Sequence, residues 1–123
     1  VYGLHLDGTL SKSIFMDERY KTFDDFYPFY LNEHRNGTCR TLHFMGSFCV
    51  LTVLAAALVM GRWQLFILMP VAGYGFAWVG HFFFEKNRPA TFKYPLYSLV
   101  ADWVMMKDIL LGRIPMSGEL PLQ

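Results

Sequence analysis

The chain has 123 residues, of which 54% are hydrophobic and 18% aromatic, and its formal net charge is +1. This length fits one domain, and the composition is too apolar for an ordinary small soluble protein. Because no cluster or stripe of basic residues is present to displace counterions from phosphates, the sequence disfavours a nucleic-acid partner. Cys39 and Cys49 do not have the spacing of a zinc site, so we interpret both as buried apolar side chains.

The first helical pattern begins near the twentieth residue. Residues 1–19 show no helical or strand period, and we predict a loose extension ahead of a single helical domain at residues 20–113. Thr22 and Asp25 form the pattern of a capping box, and apolar positions then recur at helical spacing as far as His34. Acidic residues on the opposite face favour an amphipathic helix that lies at the membrane surface.

Two long apolar segments follow, at about residues 42–60 and 63–84. Each is long enough to cross ~30 Å of hydrocarbon, and Gly61 and Arg62 between them leave room only for a tight turn. We therefore predict two transmembrane helices in an antiparallel hairpin. Basic residues gather before the first segment and after the second, which predicts that both termini face the cytoplasm. The expected location is the bacterial inner membrane or the endoplasmic reticulum.

A further helix is predicted after the second apolar segment. Pro89 ends that segment, and Pro95 suits the first turn of a new helix. Asp102 and two later charged residues interrupt the apolar positions, which favours an interfacial helix over a third span. Residues 114–123 are predicted to form a tail. The predicted fold is therefore all-α: a membrane-embedded helical hairpin flanked by an N-terminal and a C-terminal amphipathic or interfacial helix.

Three histidines are expected to meet at one end of this hairpin. His43 lies 18 residues before Gly61 and His81 lies 19 residues after Arg62, so at ~1.5 Å per residue they reach nearly the same depth. His34 can join them only if the chain bends near Asn36 and Gly37. Three imidazoles in one place could hold iron, zinc, copper or nickel. Taken singly, each histidine is more often a hydrogen-bonded structural group.

Polar residues after His81 add to this candidate site. Glu85 lies one helical turn from His81, and it could complete the metal's ligand set or orient the imidazole. Asn87 and Arg88 could bind a carboxylate through the forked guanidinium, or Arg88 could anchor the chain to lipid head groups. The sequence lacks the motifs of serine hydrolases, nucleotide-binding loops and thiol-redox proteins.

Several motifs together resemble a known family, the membrane-embedded 2-hydroxy fatty acid dioxygenases. The resemblance runs from about Phe26 to Asp102. Other members carry further hydrophobic segments between their motif blocks, so this chain resembles a compact branch of the family. The motifs are Phe26-Tyr-Pro-Phe-Tyr30, Glu33-His34, Leu42-His43, Gly80-His-Phe-Phe-Phe-Glu-Lys-Asn-Arg-Pro-Ala90 and Pro95-Leu-Tyr-Ser-Leu99.

The resemblance implies an Fe(II)-dependent α-oxidation in which a 2-hydroxy fatty acid reacts with dioxygen and is shortened by one carbon. It also implies that His34, His43 and His81 are the metal ligands. Three protein ligands would leave about three positions on octahedral iron for the hydroxy acid and dioxygen. We expect Glu85 and Arg88 to be catalytic. The substrate's polar head is expected to bind Lys86, Asn87 and Arg88, with its acyl tail between the two spans.

Two other functions stay open at the level of sequence. The chain could be a non-catalytic membrane scaffold or lipid-binding hairpin in which the histidines are structural. It could also be a metal or proton carrier, although two spans enclose little of a pathway unless the chain forms a homo-oligomer.

Overall fold

The computed structural model describes residues 20–123, and within that range it contains four α-helices and no strand. The prediction of an all-α fold is therefore confirmed. The predicted extension at residues 1–19 lies outside the described residues. The helices are α1 (Phe23–Asn32), α2 (Gly37–Met60), α3 (Leu68–Val79) and α4 (Pro95–Leu110).

The described residues also include three shorter helical segments. A 3-10 helix, Trp63–Ile67, leads into α3, and a π-helical turn, Gly80–Glu85, continues from its end. Together with α3 these pieces form one helical stretch over Trp63–Glu85. A second 3-10 helix, Ala90–Phe92, precedes α4.

The hairpin consists of α2 packed against the stretch Trp63–Glu85. Both are long and apolar enough to cross a bilayer, with mean hydropathies of 2.1 and 1.5. Gly61 closes the turn between them with a φ of +64°, a left-handed conformation that glycine adopts without steric cost. Helix α2 begins at Gly37, five residues before the predicted boundary at residue 42. The Asn36 side chain caps α2, because it accepts a hydrogen bond from the backbone N–H of Cys39 (3.0 Å).

The two hairpin helices approach each other closely beside His81. A Cβ added to Gly80 would lie 3.0 Å from Cys39 Sγ and 3.1 Å from Cys39 Cα. Any larger residue at this position would push the second helix away from α2. Gly80 therefore sets the separation at which His81, the next residue, faces His43.

The main apolar core lies beside the hairpin, where α1 packs against α4. Thr22 caps α1 by accepting from Asp25 N (3.1 Å), and Phe26 and Tyr30 on its inner face are fully buried. Their partners on and around α4 include Ala90, Tyr94, Ala101 and Met105.

Residues 114–123, the predicted tail, contain no helix or strand but pack against this body. Ile114 and Leu120 are buried in the core. The guanidinium of Arg40 is also fully buried, and it donates hydrogen bonds to four backbone carbonyls. Those carbonyls belong to His34, Arg35, Pro115 and Gly118. Arg40, one of the basic residues that precede the first apolar segment, thus ties the end of the chain to the bend between α1 and α2.

Candidate metal centre

Three different elements bring His34, His43 and His81 together. His34 follows the end of α1, His43 lies in α2, and His81 lies in the π-helical turn. The bend before Gly37 turns His34 back toward α2, as the sequence analysis required. All three side chains are buried, with exposures of 1%, 6% and 1%.

The Nε2 atoms of the three rings face one another. His34 Nε2 lies 3.1 Å from His43 Nε2 and 2.9 Å from His81 Nε2. The ring centroids are 4.4 to 4.8 Å apart, and the rings are nearly perpendicular. His43 and His81, which were expected at nearly the same depth, therefore lie side by side with ring centroids 4.8 Å apart.

The opposite nitrogen of each ring is held by a carbonyl oxygen. The Nδ1 atom of His34 lies 2.6 Å from Tyr30 O, that of His43 lies 2.9 Å from Cys39 O, and that of His81 lies 2.7 Å from Asn87 Oδ1. A carbonyl oxygen only accepts hydrogen bonds, so each Nδ1 carries the proton and each Nε2 presents a lone pair. Burial, followed by the two neighbouring imidazoles, also lowers the pKa of His34, which favours its neutral form.

This arrangement fits a metal ion. Three unprotonated nitrogens at such short range repel one another unless a cation lies between them. Ligands held at ~2.1 Å from one ion, at angles between 90° and 109°, are about 3.0 to 3.4 Å apart. The Nε2 separations of 2.9 and 3.1 Å are close to that range. Neutral imidazole is a donor that suits iron, zinc, copper and nickel.

Cys39 belongs to the same group, which the sequence analysis missed. Its Sγ and one ring nitrogen from each of the three histidines all lie within 4.8 Å of one another. The sequence contained a pattern that indicates this proximity, because Cys39 and His43 are four residues apart and share a helical face. However, Sγ lies 3.7 Å from His43 Nδ1, on the side of the ring that points away from the three Nε2 atoms. Cys39 is buried as predicted, whereas Cys49 is only half-buried.

Asn87, which was predicted to bind substrate, contacts His81 and the end of α1. While its Oδ1 accepts from His81, its Nδ2 donates to the backbone carbonyl of Glu33 (3.1 Å) and to the Glu33 carboxylate (3.2 Å). These acceptors fix which end of the amide faces the imidazole. Asn87 therefore sets the tautomer of His81 and joins it to the end of α1.

Glu85 lies apart from the three Nε2 atoms. Its Oε2 accepts from Arg35 N (3.1 Å) and its Oε1 from Asn36 N (2.7 Å). Both oxygens are thus used to hold the bend between α1 and α2, which places His34. The geometry gives Glu85 a supporting contact instead of a place in the ligand group.

Lys86 and Arg88 lie at the surface of the site. Lys86 is exposed and has a φ of +61°, which ends the π-helical turn in a left-handed conformation. Arg88 is exposed, and its guanidinium lies 5.1 Å from the centre of the Phe92 ring. Both cationic side chains are therefore accessible from outside the protein.

The π-helical turn itself could not be predicted from periodicity. It widens the helix at His81, whose carbonyl accepts from the N–H groups of Lys86 and Asn87. Such turns are rare and often occur at functional sites. Here the wider turn lets Asn87 reach back to the ring six residues before it.

Two cavities adjoin the histidines. A cavity of about 10 Å³, comparable to one water, lies directly against the three rings and is also lined by Ser98 and Asp102. A larger, mainly apolar chamber of about 300 Å³ extends between the hairpin helices and α4. His43 and Asp102 belong to the walls of both. The chamber lies between the two hairpin helices, and the position of an acyl tail within it stays a prediction.

Ser98 and Asp102 were not singled out as site residues from the sequence. Tyr30 donates a hydrogen bond to Asp102 Oδ1, and the Tyr30 ring stacks on His34 with centroids 4.0 Å apart. Burial raises the pKa of the Asp102 carboxyl to about 6. Ser98 is 2% exposed, and its Oγ has no hydrogen-bond partner among residues 20–123. The sequence could have indicated the pair, because Ser98 and Asp102 are four residues apart and share one face of a helix.

Comparison with known proteins gives one match. The model of the family described as 2-hydroxy-palmitic acid dioxygenase Mpo1-like matches residues 20–114. No curated protein and no solved structure gives a significant match. The matched range includes the three histidines and every residue that lines the two cavities. Because the match covers most of the chain, the protein belongs to the Mpo1-like family.

Proposed function

We propose that the protein is an Fe(II)-dependent dioxygenase that shortens 2-hydroxy fatty acids by one carbon. The observation that carries the proposal is the convergence of three buried Nε2 lone pairs, with separations of 2.9 and 3.1 Å. The family description supports the substrate class and the use of dioxygen. His34, His43 and His81 are the proposed ligands.

The residues around the ligands favour this chemistry. His34, His43 and His81 would hold iron(II), which would supply a site for the hydroxy acid and the activation of dioxygen. The carbonyl partners of each Nδ1 keep the rings neutral and fixed in orientation. Conversion of R–CHOH–COOH and O₂ to R–COOH, CO₂ and H₂O balances without an external reductant.

The surroundings also suit a long amphiphilic substrate. The apolar chamber of about 300 Å³ would take part of the acyl chain. Lys86 and Arg88 are exposed and follow His81 by five and seven residues, and they would attract the carboxylate. We propose Arg88 for capture of the substrate, and Asn87 and Glu85 as positioning residues for His81 and His34.

A membrane location follows from the same proposal. The hairpin would cross the bilayer, with the histidines at the level of one interface, so that an insoluble acid could enter from the lipid. The distribution of Lys and Arg favours the cytoplasmic interface and cytoplasmic termini.

The test is a metal and oxygen assay on the full chain, purified anaerobically in detergent. We expect Fe(II) to bind and 2-hydroxyhexadecanoate to drive oxygen consumption. His81→Ala should lose bound metal and reduce turnover by about 100-fold or more, because a ligand is removed. His5→Ala, which changes a histidine outside the described residues, is the matched control and should keep both.

A folded wild-type protein that binds no metal and consumes no oxygen with added Fe(II) would overturn the proposal. A scaffold or lipid-binding hairpin with structural histidines would then account for the chain, and His81→Ala would change only its thermal stability.

A further inference from the structure

A polar pair on α4 lies where the two cavities meet. Ser98 and Asp102 are one helical turn apart, and both line the small cavity beside the three imidazoles. Asp102 also lines the apolar chamber. A fatty acid whose tail occupies the chamber would therefore bring its first carbons past this pair.

The Ser98 hydroxyl lacks an expected partner. Its Oγ is buried and makes no hydrogen bond within residues 20–123. Buried polar groups in folded proteins are nearly always paired, so an unpaired hydroxyl facing a cavity indicates a ligand that pairs with it. A cavity of about 10 Å³ leaves room for a group the size of a hydroxyl and excludes an alkyl chain.

Asp102 offers the complementary atom. Its Oδ1 accepts from Tyr30, and no donor among the described residues reaches Oδ2. Tyr30 in turn stacks on His34, so the carboxylate is held in a fixed position relative to the histidines. The pair thus presents one hydroxyl that can donate and one carboxylate oxygen that can accept.

We propose that Ser98 and Asp102 bind the 2-hydroxyl group of the substrate and set the selectivity for 2-hydroxy over unsubstituted fatty acids. A substrate hydroxyl donates one hydrogen bond and accepts another, which matches Asp102 and Ser98 respectively. An unsubstituted acid would leave Ser98 Oγ and Asp102 Oδ2 unpaired, and sites built to bind a hydroxyl reject such analogues strongly. The inference rests on the proposed function, since it assumes that these cavities receive a fatty acid.

The experiment compares two ligands in the full chain. Trp103 lines the chamber and Trp78 lines the small cavity, so their fluorescence reports binding. Wild-type protein, Ser98→Ala and Asp102→Asn are titrated with 2-hydroxyhexadecanoate and hexadecanoate, and Fe(II) content is measured in the same samples. We expect wild type to prefer the hydroxy acid by about tenfold or more, and either variant to lose most of that preference.

Two controls separate a local effect from a general one. Thr52→Ala removes a hydroxyl that donates to Phe48 O within α2 (3.0 Å), and it should keep the wild-type preference. Ser98→Thr keeps a hydroxyl at the site and should retain part of the preference.

The outcomes distinguish this inference from the proposed function. If Ser98→Ala and Asp102→Asn bind Fe(II) and keep the wild-type ligand preference, the inference is wrong while the dioxygenase proposal stands. If wild type turns over the hydroxy acid but binds both acids equally, the inference is also wrong. If wild type binds neither Fe(II) nor either acid, both proposals fail.

Discussion

The two ends of the hairpin differ sharply although the same two helices form both. At the turn end, which comprises residues 58–68, Val59 is 87% exposed and Trp63 is 76% exposed. At the histidine end, which comprises residues 37–47 and 77–85, Arg40 and His81 are 0% and 1% exposed. The apolar end is thus open, and the polar end is enclosed by protein.

The difference arises from what packs on each end. The bend after α1, the start of α4 and residues 114–123 all pack at the histidine end, and none of these segments covers the turn end. Exposed apolar side chains are stable in lipid, whereas polar groups in an apolar setting require protein partners. The fold therefore concentrates its hydrogen bonds where the proposed chemistry takes place.

The largest expected difference between the ends comes from a matched pair of arginine substitutions. Arg40→Lys should reduce the free energy of unfolding by about 2 to 4 kcal/mol, because an ammonium group cannot reproduce the guanidinium's bonds to four carbonyls. Arg62→Lys at the exposed turn should change it by less than about 0.5 kcal/mol. Thermal unfolding in detergent measures both. Equal effects would contradict the contrast between the ends.

A second prediction concerns the support of His81. Asn87→Ala should weaken metal binding by about 10- to 100-fold, because the imidazole loses the acceptor that fixes its tautomer. Competition with a chelator of known affinity gives the change. Asn32→Ala is the matched control, since the Asn32 side chain accepts from Gln123 N. Unchanged affinity in Asn87→Ala would remove Asn87 from the positioning role.

These contacts show how much the sequence could reveal. Apolar length predicted the hairpin, and counting residues from Gly61 and Arg62 predicted that His43 and His81 lie level. Both depend only on chain geometry. The partners of Asn87 and Glu85 depend on a π-helical turn and on a bend, which no period in the sequence records. The burial of Arg40 was missed for a similar reason, since its partners are carbonyls from segments remote in the chain.

A third prediction uses pH at the histidine end. The pKa of Asp102 is raised to about 6 from 3.8 by burial, so the folded state binds more protons than the unfolded state between these values. The contribution of Asp102 to stability is therefore fully present below pH 3.8 and is lost as the pH rises through 6. Asp102→Asn, which does not titrate, should be more stable than wild type above pH 6, by about 1 to 2 kcal/mol.

Unfolding of metal-free protein at pH 4 and pH 7.5, with a chelator present, measures this effect. The stability difference between Asp102→Asn and wild type should shrink toward pH 4. The histidines contribute equally to both proteins, so their titration cancels in the difference. A difference that stays constant with pH would show that the Asp102 carboxyl has its ordinary pKa in the folded protein.

The smallest expected effect concerns the backbone strain at Lys86, close to the site. Lys86 has a φ of +61°, which costs a residue with a Cβ about 1 kcal/mol relative to glycine. Lys86→Gly should therefore raise the free energy of unfolding by about 0.5 to 1 kcal/mol, whereas Lys107→Gly, at an exposed position within α4, should lower it by about 1 kcal/mol. A loss of stability in Lys86→Gly would contradict the strain. If the variant is more stable yet binds 2-hydroxyhexadecanoate more weakly, the Lys86 side chain is retained for its charge at the mouth of the site, despite its unfavourable backbone conformation.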